Sequence, residues 1–197
     1  MKTIVRLAFF CCLACAPLLA QDSTASPVDA LRHAGWNKGV FVGGGTSVDS
    51  SPSGQNFLLG VRIGRVLTRE LGGNPLRGSF EMAVDIIPLD EYWIHGAQYA
   101  GAINPFIVKW NFTAPRTVAP YAAIVGGVLF SSHNLPPGDT SQVNFTSGME
   151  IGAQMFHNNK NSWNLAIKAY HLSNASLGNK NPGINANLQV MLGYTWH

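Results

Sequence analysis

The stretch HLSNASLGNKNPGIN, His171 to Asn185, sets an imidazole and a hydroxyl two positions apart. It follows SWNLAIKAY, in which apolar and polar residues alternate as in a half-exposed strand. Residues i and i+2 of a strand point to the same side, so His171 and Ser173 share one face. A histidine that takes the proton of a serine hydroxyl makes it a nucleophile toward an ester carbonyl. The residues beyond, NASLGNKNPG, could supply backbone or asparagine N–H donors to the oxyanion that such an attack creates. His-x-Ser alone is a weak signal, and the same pair also suits the polar girdle where a strand leaves a membrane. Which face carries the pair decides what it can touch, and that depends on the elements around it.

The first twenty residues, MKTIVRLAFFCCLACAPLLA, have a basic start and an uncharged apolar run ending in small residues. They read as a cleaved secretory signal, too short for a stable membrane-spanning helix. Acylation at Cys15 is an alternative, disfavoured by the apolar residues that follow it. All three cysteines lie in this segment, so the exported chain has no disulfide to lean on. Without Lys2 and Arg6, 11 basic residues face 10 acidic ones, a balance that gives no reason to expect a nucleic-acid partner. Only 12% of residues are charged and 21 are glycine, a composition suited to a barrel with an apolar exterior.

From Trp36 the chain divides into eight strand-like stretches: roughly 37–47, 57–68, 77–88, 100–112, 118–130, 143–156, 162–174 and 185–196. In 77–88, Phe80, Met82, Val84 and Ile86 share one face and Glu81, Ala83 and Asp85 the other. In 162–174, Trp163, Leu165, Ile167 and Ala169 oppose Asn164, Ala166, Lys168 and Tyr170. Glu81, Asp85, Glu150 and Lys168, with Arg62, fall mid-strand. A water-soluble barrel would turn these charges outward. Ten to fourteen residues per strand instead suit a tilted membrane-spanning strand. Eight strands close a barrel narrow enough for side chains to fill it, so the charges form an interior network without a pore. The expected fold is an all-β, eight-stranded antiparallel up-and-down transmembrane barrel over 36–197, with 1–20 the signal and 21–35 a periplasmic lead-in.

With both termini in the periplasm, the short turns are 69–76, 113–117 and 157–161. The outward loops are 48–56, 89–99, 131–142 and 175–184. Tyr92 and Trp93 read as interfacial belt. His171 and Ser173 continue the apolar, lipid-facing side of the seventh strand and lie at its outer rim. Polar groups there are costly unless something polar meets them, and lipopolysaccharide supplies esters at that depth.

YHLSNASLGNKNPGIN, with PYAAIVGGVLFSS and NFTSGMEIGAQMF upstream, resembles the PagL-type lipid A 3-O-deacylase family, also described as acyloxyacyl hydrolase-like. The resemblance is specific over roughly 100–196. It implies an outer-membrane barrel with a Ser/His esterase site on its outer surface. That site would remove the 3-hydroxyacyl chain ester-linked at position 3 of lipid A, without a cofactor or metal. Carried onto this chain, Ser173 matches the nucleophile and His171 the general base. Asn174 matches an oxyanion-hole residue, and Ser176 stands at the neighbouring oxyanion position, often glycine in the family. Where the family places a glutamate that orients the histidine, this chain has Asn185. An amide carbonyl can accept the imidazole N–H but cannot offset an imidazolium charge. In a serine protease the acid-to-amide change costs about 10⁴-fold in rate. Asp139 is a weak candidate for a substitute carboxylate. Strict alternation would also point Asn185 inward, unless the rim is irregular. The alternative function is a barrel without catalysis that stabilises the membrane or binds lipid.

Overall fold

The structure is a computed structural model that describes residues 27–32, 35–48, 53–115, 117–181 and 184–197. The signal segment lies outside the described residues. Eight strands follow one another: β1 (Trp36–Val48), β2 (Gln55–Val66), β3 (Gly78–Trp93), β4 (Ala97–Phe112), β5 (Val118–Ser131), β6 (Val143–Asn158), β7 (Asn161–Ser173) and β8 (Ile184–Trp196). Each pairs antiparallel with the next, and β8 pairs with β1 to close the barrel. Closure leaves no edge, so the ladder satisfies the strand backbones inside an apolar medium.

Which face each strand buries follows from its alternation. Phe80, Met82 and Ile86 are exposed, whereas Glu81 and Asp85 between them are fully buried. Ile124, Met149, Ile151, Leu165, Ile167, Val190 and Leu192 continue the apolar wall on β5 to β8. Glu150, Lys168 and Gln189 are buried on the inner side of β6 to β8. An apolar exterior around a charged interior is the inverse of a soluble barrel, and it is the surface a bilayer requires.

The interior is packed in layers. Arg62 bridges two carboxylates: Nε and Nη2 donate to Asp85 Oδ1 (2.7 Å) and Oδ2 (2.9 Å), and Nη1 donates to Glu150 Oε1 (2.9 Å). The Tyr121 hydroxyl donates to the same Glu150 oxygen at 2.7 Å. Nearer the end that carries both termini, Glu81 accepts from Lys109 Nζ (2.8 Å), Asn37 Nδ2 (3.1 Å) and Asn111 Nδ2 (2.8 Å). Two voids in this interior measure about 30 and 10 Å³, room for isolated waters. Breaking one partner of a buried pair strands the other charge at a cost of about 3–5 kcal/mol. Arg62→Met is therefore expected to lower the unfolding free energy in detergent by about that amount, read from urea denaturation followed by gel mobility.

Apolar plugs close both ends. At the terminal end a 3₁₀ turn, η1 (Pro27–Leu31), tucks Val28 and Leu31 against Val66, Ala119 and Phe156, and Ser79 Oγ donates to Leu31 O at 2.6 Å. Beside this plug, Ser162 Oγ lies 2.9 Å from His197 Nε2. Burial, with the nearby Lys109 ammonium, pushes the His197 imidazole down to about 4 from an ordinary 6.5. Because the folded state holds this histidine neutral, its contribution is complete above pH 6.5 and is lost as pH falls toward 4. The barrel is expected to melt at a lower temperature at pH 4.5 than at pH 7.5, and His197→Gln is expected to narrow that difference.

The second outward loop departs from the sequence reading. β3 runs on to Trp93 and β4 starts at Ala97, which leaves 94–96 as the connection in place of 89–99. The polar residues Asp90 and Glu91 mimic a loop, but Asp90 is buried and accepts from Asn56 Nδ2 at 2.7 Å. Register shifts between Ile87 and Asp90 reset the alternation there. Tyr92 consequently faces inward, its hydroxyl bonded to that of Tyr170, while Trp93 faces the lipid side. Only Trp93 of the pair belongs to an interfacial belt.

Candidate active site

β7 alternates to its end. Trp163, Leu165, Ile167 and Ala169 face outward, followed by the half-buried His171 and Ser173, while Tyr170 and Leu172 face inward. Leu172 is fully buried in an apolar cluster with Ile94, Leu129, Leu135, Tyr170 and Ile184. That plug fills the barrel end opposite the termini. Anchoring Leu172 inside turns its two neighbours out, so the plug sets the direction of both polar side chains. Across the ladder, Ser147 of β6 pairs with His171 and Phe145 with Ser173. Sequence spacing carries no sign of either neighbour, because register is a property of two distant segments.

On the other side the ladder is irregular. Tyr170 pairs with Asn187 and Leu172 with Ile184, so two residues of β8, Asn185 and Ala186, oppose the single residue His171. This bulge resets the parity of β8: Ile184 and Asn187 are both buried inward although three positions apart. Strict alternation therefore does not hold along this rim of β8. The backbone sets Asn185 and Ala186 together across from His171.

Immediately after Ser173 the chain turns sharply. Ala175 (φ 49°) and Ser176 (φ 65°) are both left-handed, which explains why glycine suits the second position. Asn174 is buried and organises the turn: its Oδ1 accepts Ser176 N–H at 2.9 Å and its Nδ2 donates to Lys180 O at 2.8 Å. Its own N–H donates to Asn181 Oδ1 at 3.0 Å. The two residues matched to the oxyanion hole thus have their backbone N–H groups just beyond Ser173, each engaged by a side-chain amide oxygen. A carbonyl oxygen arriving there would replace an amide oxygen of similar polarity.

The turn is clamped to the neighbouring outward loop. Asp139 O accepts from Lys180 N at 2.9 Å and Asp139 Oδ1 from Asn179 Nδ2 at 3.0 Å. Asp139 is thereby a loop clamp, its carboxylate engaged by Asn179. Gly178 lies so close to the same loop that an added Cβ would stand 2.5 Å from Thr140 O. Gly178→Ala must push the loops apart at a cost of about 1–3 kcal/mol. It is expected to lower any activity that depends on the Asn174–Ser176 turn about tenfold or more, and to lower the melting temperature of the barrel by several degrees. Asn181 and Gly178 escaped the sequence reading, which named Asp139 only as a substitute carboxylate. The Asn-rich run 179–181 was their one visible trace, since such residues bond locally to backbone.

These features define a membrane-spanning β-barrel of outer-membrane type, with a histidine and a serine on the outer wall where it meets a clamped loop. The chain belongs to the family Lipid A 3-O-deacylase (PagL), whose model matches residues 77–195. Among solved structures, the chain is similar to the outer membrane enzyme PagL, at 20% identity, TM-score 0.54, 80% of this chain and 97% of that one. It is also similar to Neisserial surface protein A, at 14% identity, TM-score 0.55, 83% of this chain and 98% of that one. The N-terminal β-barrel domain of Pseudomonas aeruginosa OprF matches at 11% identity, TM-score 0.51, 83% of this chain and 98% of that one. At these identities the likeness is one of fold. No curated protein matches the sequence significantly.

Proposed function

We propose that this protein is an outer-membrane hydrolase that removes the 3-hydroxyacyl chain ester-linked at position 3 of lipid A. The observation that carries the reading is the outward pair His171 and Ser173 at the lipid-facing rim, inside the segment that matches the family. Ser173 Oγ attacks the ester carbonyl while His171 takes its proton. The oxyanion is met by backbone N–H groups of Asn174 and Ser176. Collapse of the intermediate expels the sugar oxygen, which receives the proton from His171 and leaves the acyl chain on Ser173. Water, deprotonated by His171, then frees the 3-hydroxy fatty acid and restores the serine. Asn185 orients the imidazole through its amide.

Supporting the lipid substrate is the setting: an ester at the membrane boundary can reach an outward serine without leaving the bilayer. In this reading the termini lie in the periplasm, and the loops 132–142 and 174–183 lie outside the cell. One observation favours a second reading, a barrel without catalysis: Asn185 stands where the family's orienting acid is expected. Mass spectrometry of lipid A from an outer-membrane-bearing host that expresses the protein decides between them. Loss of one 3-hydroxyacyl chain from position 3 is the expected result. Unchanged lipid A, with the barrel folded and inserted, would favour the second reading.

A further inference from the structure

Five Lys and Arg residues lie within the strands, and they divide by face. Arg62 and Lys109 point inward and pair with carboxylates, and Lys168 is buried with its Nζ 5.4 Å from the Tyr170 ring centre. Lys38 of β1 and Arg65 of β2 point outward, and among the described residues neither forms an ion pair. They are neighbours: Trp36 pairs with Arg65 and Lys38 with Ile63, which makes the two cations diagonal partners on one face. Arg65 lies 5.4 Å over the Trp36 ring, and Lys38 pairs on its other side with Trp196. β1, β2 and β8 carry no acidic residue. Between Lys38, Val40, Val61, Ile63 and Trp196 runs a shallow groove of about 510 Å³.

We propose that this groove binds one anionic glycerophospholipid, at the barrel end away from His171 and Ser173. Two outward cations with no carboxylate on their strands, flanked by indoles at the start of β1 and the end of β8, match a phosphodiester at headgroup depth. Val40, Val61 and Ile63 run from that depth toward the bilayer centre and offer an apolar track to the acyl chains. A buried network would have consumed the charges, as it does for the inward cations. Lys38 in the groove and Arg65 beside it are left for a ligand. This inference rests on the membrane-barrel fold and is independent of the esterase reading.

Native mass spectrometry of the full chain in detergent tests it, with phosphatidylglycerol, phosphatidylcholine and lipid A added in turn. The expected result is a one-to-one phosphatidylglycerol complex, about fivefold tighter for each cation engaged than the phosphatidylcholine complex. Lys38→Gln and Arg65→Gln are each expected to lose about fivefold of that preference, and Lys38→Arg to keep it. Lys160→Gln, which removes the same charge from the β6–β7 turn, is expected to change nothing. Equal binding of the two phospholipids by the wild type would overturn the proposal. So would lipid A binding the groove as tightly as phosphatidylglycerol, or a Lys160→Gln loss equal to that of Lys38→Gln.

Discussion

Replacing Ser173 by alanine is expected to lower release of the 3-hydroxyacyl chain by about 10⁴-fold or more while the barrel stays folded. The hydroxyl is the nucleophile, so its removal ends the covalent route and leaves only what binding and the oxyanion donors contribute. Structural damage is expected to be small. Ser173 is half-exposed at the last position of β7, and the plug that holds this strand end is built on Leu172, one residue earlier. A rim substitution of this kind changes stability by less than about 0.5 kcal/mol. Lipid A profiles from cells expressing either form read the activity, and heat-modified gel mobility confirms the fold. Retained deacylation in the alanine form would remove Ser173 from the mechanism.

Asn185→Glu is the second large effect, and here the rate is expected to rise, by up to about 10⁴-fold. An asparagine carbonyl can hold one tautomer of the imidazole, but it adds no stabilisation when that ring becomes positively charged during attack. A carboxylate does both. The bulge at Asn185 and Ala186 makes the substitution reasonable, because it sets that stretch of β8 across from His171 where strict alternation would not. Cross-strand neighbours have Cβ atoms about 5 Å apart, within reach of a glutamate. Paired measurement of wild type and variant separates the outcomes. A slow wild type and a fast variant would mark an enzyme running on an amide. An inactive wild type and an active variant would mark a barrel that lost catalysis through this one residue. Equal rates would show that the imidazole is already oriented by another group.

The strands and their two faces were legible because a period of two is local: each side chain's direction follows from its neighbours alone. Phe80 with Glu81, and Ile167 with Lys168, declare lipid side and interior without reference to any distant residue. Strand length then chose a membrane over water as the outer solvent. The same alternation placed His171 and Ser173 on the outer wall, and the residues after them carried the family resemblance.

What the tertiary structure decided was whatever required two segments at once. Asp90 looks like loop until Asn56 of another strand donates to it in the core, and Tyr92 looks like belt until a register shift turns it onto Tyr170. Asp139 reads as a spare carboxylate until Asn179 and Lys180 engage it. Sequence alone therefore determined the barrel, its inside-out polarity and the candidate pair. Only the closed structure decided the bulge that brings Asn185 opposite His171, the plug beneath Leu172 and the clamp on the Asn174 turn. Side-chain direction along one strand is set by neighbouring residues, whereas hydrogen-bond partners and register are set between strands far apart in the chain.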